Sequence, residues 1–163
     1  MENVLSSPIA SVVRDLADRD WSLCPGFLPP AAIAPLRDRL RAWWDGGELR
    51  RAGVGRGAGR RVVDEVRGDH VRWLDLACGG RFRDVHDLHF EPLRLALNQT
   101  LYLGLWELEA HATVYPPGSF YVRHLDRFRD APHRTVTVVL YLNDRWTAAD
   151  GGELRLYVPR PGG

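Results

Sequence analysis

Residues 115–126 read YPPGSFYVRHLD, and this stretch governs the interpretation of the rest of the chain. It ends in His124, Leu125 and Asp126. In an extended chain, residues i and i+2 point to the same side, so the imidazole and the carboxylate converge. A neutral imidazole and a carboxylate are two of the three ligands of the two-histidine, one-carboxylate Fe(II) site. The motif alone is weak, because histidine and aspartate at this spacing are common on protein surfaces.

The hydrophobic pattern on both sides of this stretch has a period of two, which predicts strands. Apolar and polar residues alternate through Trp106–Tyr115, so this strand has one apolar face and one face carrying reactive groups. The β-branched run Thr135–Tyr141 predicts a second strand, and Glu153–Val158 predicts a third. Shorter strands are predicted at Arg61–Val66 and at Trp21–Leu23.

The N-terminal part of the chain has helical signals instead. Ser7 before a proline is typical of an N-cap, and it predicts a helix to about Asp18. Pro29-Pro30 predicts the start of a second helix, and Gly46-Gly47 predicts its end. Leucines recur every four residues in Glu91–Leu101, which predicts a third. Helices followed by strands favour an α+β fold with a mainly antiparallel sheet.

Length, charge and cysteine content limit the classes of function that this chain can have. A length of 163 residues suits a single domain, and a formal net charge of +1 argues against a nucleic-acid partner. Cys24 and Cys78 form no CxxC pattern, which indicates reduced thiols. The sequence shows neither a signal peptide nor a long apolar stretch, so we expect a cytoplasmic protein without a membrane partner.

Five segments together resemble one family of enzymes. In chain order they are GFLPP (26–30), RGDHVRWL (67–74), YPPGSFYVRHLD (115–126), RTVTVVLYLNDRW (134–146) and GGELRLY (151–157). They resemble the Fe(II)- and 2-oxoglutarate-dependent prolyl hydroxylases that act on hypoxia-inducible factor, and their bacterial relatives. The resemblance implies one oxygenase domain over residues 1–163. In it, helical support of about residues 1–105 packs on a partial double-stranded β-helix, a jelly-roll or cupin-like core, of about residues 106–163.

The resemblance also implies roles for matching positions. The metal ligands, and hence the catalytic residues, would be His124 and Asp126. The 2-oxoglutarate pocket would include Tyr115, Tyr121 and Tyr141. A substrate peptide would be held near Arg67, Asp69, Arg123 and Arg134. The implied reaction is that of a prolyl 4-hydroxylase-type dioxygenase, which uses Fe(II), 2-oxoglutarate and O2, with ascorbate as a reductant, on a proline-bearing protein or peptide.

The family pattern has two further residues after the HxD motif, a histidine ligand and an arginine that grips 2-oxoglutarate. The sequence reaches Gly163 without either of them. His133 follows Asp126 too closely to be that histidine, and His111 precedes it. We therefore expect the sequence to stop before the closing strands, which leaves the iron site incomplete in this chain.

Other interpretations stay open on the sequence alone. The same scaffold could hydroxylate a small molecule such as a free amino acid. If the C-terminus is natural, a non-catalytic cupin-like binding domain is the alternative. The glycine-rich segment Arg50–Arg61, RRAGVGRGAGRR, suits either a lid over a peptide or a contact with nucleic acid. The near-zero net charge and the lack of aromatic residues in the segment argue against the nucleic-acid contact.

Overall fold

Helix α1 spans Pro8–Arg19 in the computed structural model, which describes residues 7–55, 61–126 and 135–158. The predicted cap is confirmed: the hydroxyl of Ser7 accepts a hydrogen bond from the Ala10 N–H at 3.1 Å. Asp20 then adopts a left-handed conformation, with φ of 65°, and its N–H donates to the Leu16 carbonyl. The helix thus begins where a side chain caps the first turn, and it ends where the backbone turns left-handed.

Helix α2 spans Pro30–Asp45, as predicted. Proline opens it because its missing N–H would have no partner in the first turn. At the other end, Gly47 takes a φ of 68° that a side chain rarely adopts, and the chain turns away. The buried residues of α2 are Leu36 and Trp43, which connect it to two different parts of the core.

The third helical region is longer than predicted. Helix α4 spans Glu91–Leu101 as expected, but the chain is already helical in α3, Arg81–Val85, and in a π-helical turn, His86–Phe90. A π turn adds a residue to the helical repeat, which shifts the hydrophobic stripe out of phase. The leucine periodicity therefore becomes visible only after the turn. Short 3₁₀ turns occur at Leu76–Cys78 and Ala148–Asp150.

An antiparallel sheet packs beside the helices, as the sequence predicts. Its strands are β1 (Arg50–Arg51), β2 (His70–Trp73) and β3 (His111–Val114), in that spatial order. Across β2 and β3, His70 is paired with Val114 and Trp73 with His111. The sheet therefore takes β1 and β2 from the N-terminal part of the chain and β3 from the part beyond residue 105.

Several predicted strands differ in the structure. The strand predicted over Trp106–Tyr115 is paired only in its last part. The one at Arg61–Val66 is wrong, because that segment forms a turn with a single bridge from Arg61 to Val54. No strand is assigned at Trp21–Leu23. A short apolar segment becomes a strand only if the tertiary structure places another strand beside it. The hydrophobic pattern of the segment alone does not show whether such a strand is present.

Residues 135–158 are predicted to hold two strands, yet no strand is assigned within this described segment. Burial alternates over residues 140–142 but not just before them, where Val138 and Val139 are both exposed. Leu140 and Leu142 pack against the core cluster of Leu28, Leu36 and Val85, whereas Tyr141 is 51% exposed. The alternation expected of a strand is therefore kept over a short part of the segment, although the predicted strand pairing is not found in the described residues.

Buried apolar residues form clusters that join the helices to the sheet. Val13 of α1 packs with Leu93 and Leu97 of α4. Trp43 of α2 packs with Leu49 and with Ala112 of β3, so the sheet rests on this helix. The α+β class is confirmed, while a complete double-stranded β-helix is not seen in the described residues. Among those residues, no helix has the length and apolar character needed to span a bilayer.

Candidate functional site

The imidazole of His124 and the carboxylate of Asp126 converge, as predicted from their spacing. His124 Nε2 lies 3.2 Å from Asp126 Oδ1, and His124 Nδ1 lies 2.7 Å from the Val122 carbonyl oxygen. The side chains of the histidine and the aspartate are 35% and 41% exposed, so both are open to a ligand from solvent. The geometry thus offers a nitrogen and an oxygen donor on one accessible surface.

The hydrogen bond at Nδ1 indicates the tautomer of the neutral His124 ring. A carbonyl oxygen only accepts, so Nδ1 carries the proton and donates it to Val122. In the neutral ring the lone pair of Nε2 then faces an oxygen of Asp126, which is also an acceptor. Two acceptors at this separation are stabilised by a cation between them, either a proton or a metal ion. The pair therefore fits a divalent metal as two of its ligands.

A third protein ligand is not seen beside this pair. Within residues 7–55, 61–126 and 135–158, no group of three or more His, Cys, Asp or Glu side chains could hold a metal ion. His133 lies outside the described residues, and His111 is across the sheet from Trp73 on β2. The described residues thus supply two donors.

The Tyr121 ring is stacked on the ring of His124. Their centroids are 3.5 Å apart and their planes differ by 17°. The guanidinium carbon of Arg67 lies 4.2 Å from the centroid of the Tyr121 ring, within the range of a cation–π contact. The backbones of Arg67 and Tyr121 also form an antiparallel bridge. The HxD segment is thereby attached to the segment that carries the RGD sequence.

Asp69 is buried, and Arg67 satisfies its carboxylate. Arg67 Nε and Nη2 donate to the two carboxylate oxygens at 2.7 and 2.6 Å, while the Asp69 side chain is 0% exposed. Burial acts to lower the pKa of Arg67, but the hydrogen bonds and charge of Asp69 outweigh it and raise that pKa. The pair is a buried, bidentate ion pair. Neither Asp69 oxygen is open to a peptide in this arrangement.

Gly68 brings the RGD segment against the loop before the HxD motif. Its N–H donates to the Phe120 carbonyl at 2.9 Å, and a Cβ at this position would lie 3.1 Å from Ser119 Oγ and 3.3 Å from Ser119 Cβ. The glycine is therefore required for close approach rather than for an unusual φ. This gives a physical reason for a glycine between Arg67 and Asp69.

We expect Gly68→Ala to destabilise the protein by about 1–2 kcal/mol, because the added methyl group overpacks the contact with Ser119. Chemical unfolding followed by circular dichroism measures the change. In the double variant Gly68→Ala/Ser119→Gly, the opposing side chain is removed, so most of the loss should be recovered. A single variant as stable as the unaltered protein would contradict this explanation of the glycine.

The tyrosines predicted to hold 2-oxoglutarate lie close together. Burial first, and the charge of Asp69 second, raise the pKa of Tyr115 to about 12, with smaller contributions from Tyr121 and Tyr141 and an opposing one from Arg67. The phenol of Tyr115 therefore keeps its proton at neutral pH and can donate a hydrogen bond to an anion. The hydroxyl of Tyr141 donates to the Gly152 carbonyl at 3.0 Å.

Arg123, the other described residue predicted to contact substrate, lies outside this cluster. The guanidinium carbon of Arg123 lies 4.3 Å from the centroid of the exposed Tyr157 ring. Arg134 lies outside the described residues, as do residues 56–60 of the segment Arg50–Arg61. The structure thus brings together Arg67, Asp69 and the tyrosines, and it leaves Arg123 in a separate contact.

An open cavity of about 430 Å³ lies along the junction of the RGD segment and the loop before the HxD motif. Its lining consists of Arg51, Asp64, Gly68, His70 and residues 116–120. Nδ1 of His70 is buried and has no hydrogen-bond partner among the described residues. No sequence motif marks Asp64 or His70, because only the pairing of Gly68 with Phe120 brings these segments together.

Known proteins are similar to this chain in sequence and in fold. Residues 110–162 match the family model of the 2OG-Fe(II) oxygenase superfamily. The fold matches a crystal structure of a prolyl-4-hydroxylase from Pseudomonas putida with a TM-score of 0.77 and 41% sequence identity. That match covers 88% of this chain and 72% of the Pseudomonas chain.

Proposed function

Because the chain belongs to the prolyl-4-hydroxylase-like 2OG-Fe(II) oxygenases, we propose that it hydroxylates a prolyl residue in a protein. The observation that carries the proposal is the convergence of His124 and Asp126 beside the cluster of tyrosines. Membership of the superfamily implies Fe(II), 2-oxoglutarate and O2. The prolyl specificity rests on the likeness to the Pseudomonas enzyme.

His124 and Asp126 are the residues that would hold the iron. Iron bound with 2-oxoglutarate supplies the oxidising chemistry, in which O2 is consumed, 2-oxoglutarate becomes succinate and carbon dioxide, and one oxygen atom enters a C–H bond. The contribution of the chain is to keep Nδ1 of His124 protonated through Val122, so that Nε2 is free to bind. The carboxylate of Asp126 adds a negative charge that favours a divalent ion.

Tyr115 is the tyrosine best prepared to bind the cosubstrate. Its phenol is protonated at neutral pH and 45% exposed, so it can donate to a carboxylate of 2-oxoglutarate. Tyr141 would have to exchange its bond to the Gly152 carbonyl for a bond to the cosubstrate. Tyr121 stacks on His124 and contributes through its ring rather than through its hydroxyl.

A protein substrate suits the cavity beside the site better than a free amino acid does. The cavity is open, and charged, polar and apolar residues all contribute to its lining: Arg51, Asp64, His70 and residues 116–120. An open surface with mixed polar and apolar groups can accommodate an extended chain, whereas a small molecule needs enclosure on most sides. Arg123 and Arg134 are further candidates for contacts with such a chain.

The test is 2-oxoglutarate turnover by the full-length protein supplied with Fe(II), O2 and ascorbate. We expect succinate release to increase when a proline-containing polypeptide is added, and the polypeptide to gain one oxygen atom by mass spectrometry. The matched control is the same polypeptide with alanine in place of the proline. Stimulation by free proline and not by the polypeptide would favour a small-molecule hydroxylase. Iron and 2-oxoglutarate binding without any turnover would favour a binding domain.

A further inference from the structure

We propose that Arg67, Asp69 and Tyr121 are positioning residues that hold the ring of His124 in the orientation needed to bind metal. This proposal rests on the proposed function, since it takes His124 as a ligand. It assigns Arg67 and Asp69 a role inside the protein instead of a contact with substrate. The proposed order of contacts runs from the buried carboxylate of Asp69 to Arg67, then to Tyr121, and finally to His124.

The first step is the immobilisation of Arg67. An arginine side chain loses much rotamer freedom when it is fixed, so an exposed one is seldom held in a single conformation. Here both carboxylate oxygens of Asp69 accept from the same guanidinium, and the arginine side chain is 15% exposed. The planar guanidinium group of Arg67 is therefore held in one orientation by Asp69, whose side chain has no contact with solvent.

The second step places Tyr121 over that guanidinium. The separation of 4.2 Å between the guanidinium carbon and the ring centroid gives an attraction that depends on the orientation of the ring. The backbone is fixed in register as well. Gly68 N–H donates to the Phe120 carbonyl and Val122 N–H donates to the Val66 carbonyl, each at 2.9 Å. The tyrosine is thus fixed through both its main chain and its side chain.

The third step fixes the histidine. His124 lies in a segment, residues 122–126, that has no strand assignment, so no sheet ladder holds its backbone. Its ring is restrained on one face by Tyr121 at 3.5 Å and at Nδ1 by the Val122 carbonyl. With both restraints, Nε2 points to Asp126. A ligand that is already oriented loses less entropy when metal binds, which raises the affinity.

The experiment measures the affinity of the full-length protein for Co(II) alone, followed by the ligand-field absorption of the metal. We expect Tyr121→Leu to weaken Co(II) binding by about 10–100-fold, the range for residues that support metal ligands. Tyr121→Phe keeps the ring and should remain within about threefold of the unaltered protein. Arg67→Lys keeps the positive charge but loses the planar, bidentate guanidinium group. Its Co(II) affinity should therefore lie between those of Tyr121→Leu and Tyr121→Phe.

The matched control is Tyr157→Leu, because Tyr157 is also contacted by an arginine, Arg123, but is not stacked on a histidine in the described residues. It should leave Co(II) affinity unchanged. Thermal unfolding of each variant, with and without metal, separates loss of affinity from loss of fold. Equal affinity of Tyr121→Leu and the unaltered protein would overturn the positioning role alone. An equal loss in Tyr121→Phe would overturn stacking as the cause. Absence of Co(II) binding by the unaltered protein would overturn the metal site, and the proposal with it.

Discussion

Replacement of His124 by alanine is expected to lower 2-oxoglutarate turnover by about 10³-fold or more. A bound metal provides several kcal/mol of charge stabilisation, and each ~1.4 kcal/mol is a factor of ten in rate. His124 supplies the only nitrogen donor next to Asp126 among the residues that the structure describes. Without it, a single carboxylate would have to hold the metal from this segment. Succinate formation, followed with the full-length protein, is the measurement.

The matched control for this variant is His89→Ala. His89 belongs to the π-helical turn and makes an edge contact with Phe27, with ring centroids 6.4 Å apart. It should leave the turnover within about twofold of the unaltered protein, as a histidine outside the site would. Because the His124 side chain is one-third exposed, its removal should also leave the unfolding transition nearly unchanged. Full turnover in a folded His124→Ala variant would refute the assignment of the HxD motif.

The largest expected effect on stability is that of Trp43→Ala, at about 3–5 kcal/mol. Trp43 is 7% exposed and belongs to the cluster that joins α2 to the sheet. Its ring stacks on Phe82 with centroids 5.2 Å apart and planes 13° apart, and Arg72 of β2 lies over it at 4.6 Å. Truncation would leave a cavity at a point where α2, the sheet and α3 meet. The free energy of unfolding in denaturant measures the loss.

The neighbouring residue provides the control. Trp44 is 38% exposed and makes an edge contact with His70, so Trp44→Ala should cost only about 1 kcal/mol. Both variants lose the same chemical group from adjacent positions of one helix, which leaves burial as the main difference. Equal losses for the two variants would mean that α2 does not present Trp43 to the core as described.

Much of the candidate site could be predicted from the sequence because it depends on local geometry. The spacing of His124 and Asp126 places their side chains on one side of an extended chain, and the structure has them 3.2 Å apart. The grouping of Tyr115 with Tyr121 and Tyr141 followed from the resemblance, and electrostatic effects on Tyr115 agree with it. The roles of these residues stay predictions until turnover and binding are measured.

Other features depend on segments that are far apart in the chain. The strand predicted at Arg61–Val66 is a turn, because the neighbouring segments β1 and β2 pair with each other instead. The stacking of Tyr121 on His124 needs both rotamers to be chosen together, which no spacing rule describes. The resemblance implied that Arg67 and Asp69 lie beside a substrate peptide, whereas the structure has them bound to each other.

By itself, the sequence determined the ends of α1 and α2 and the donors that could meet a metal ion. These depend on caps, on side-chain period and on ligand chemistry, all of which act within a few residues. Tertiary structure alone decided that β2 pairs with β3, that Gly68 meets Ser119, and that Asp69 is buried against Arg67. The physical reason is that strand pairing and side-chain burial depend on which distant segment of the chain packs against a residue. The residues next to it in sequence do not specify that segment.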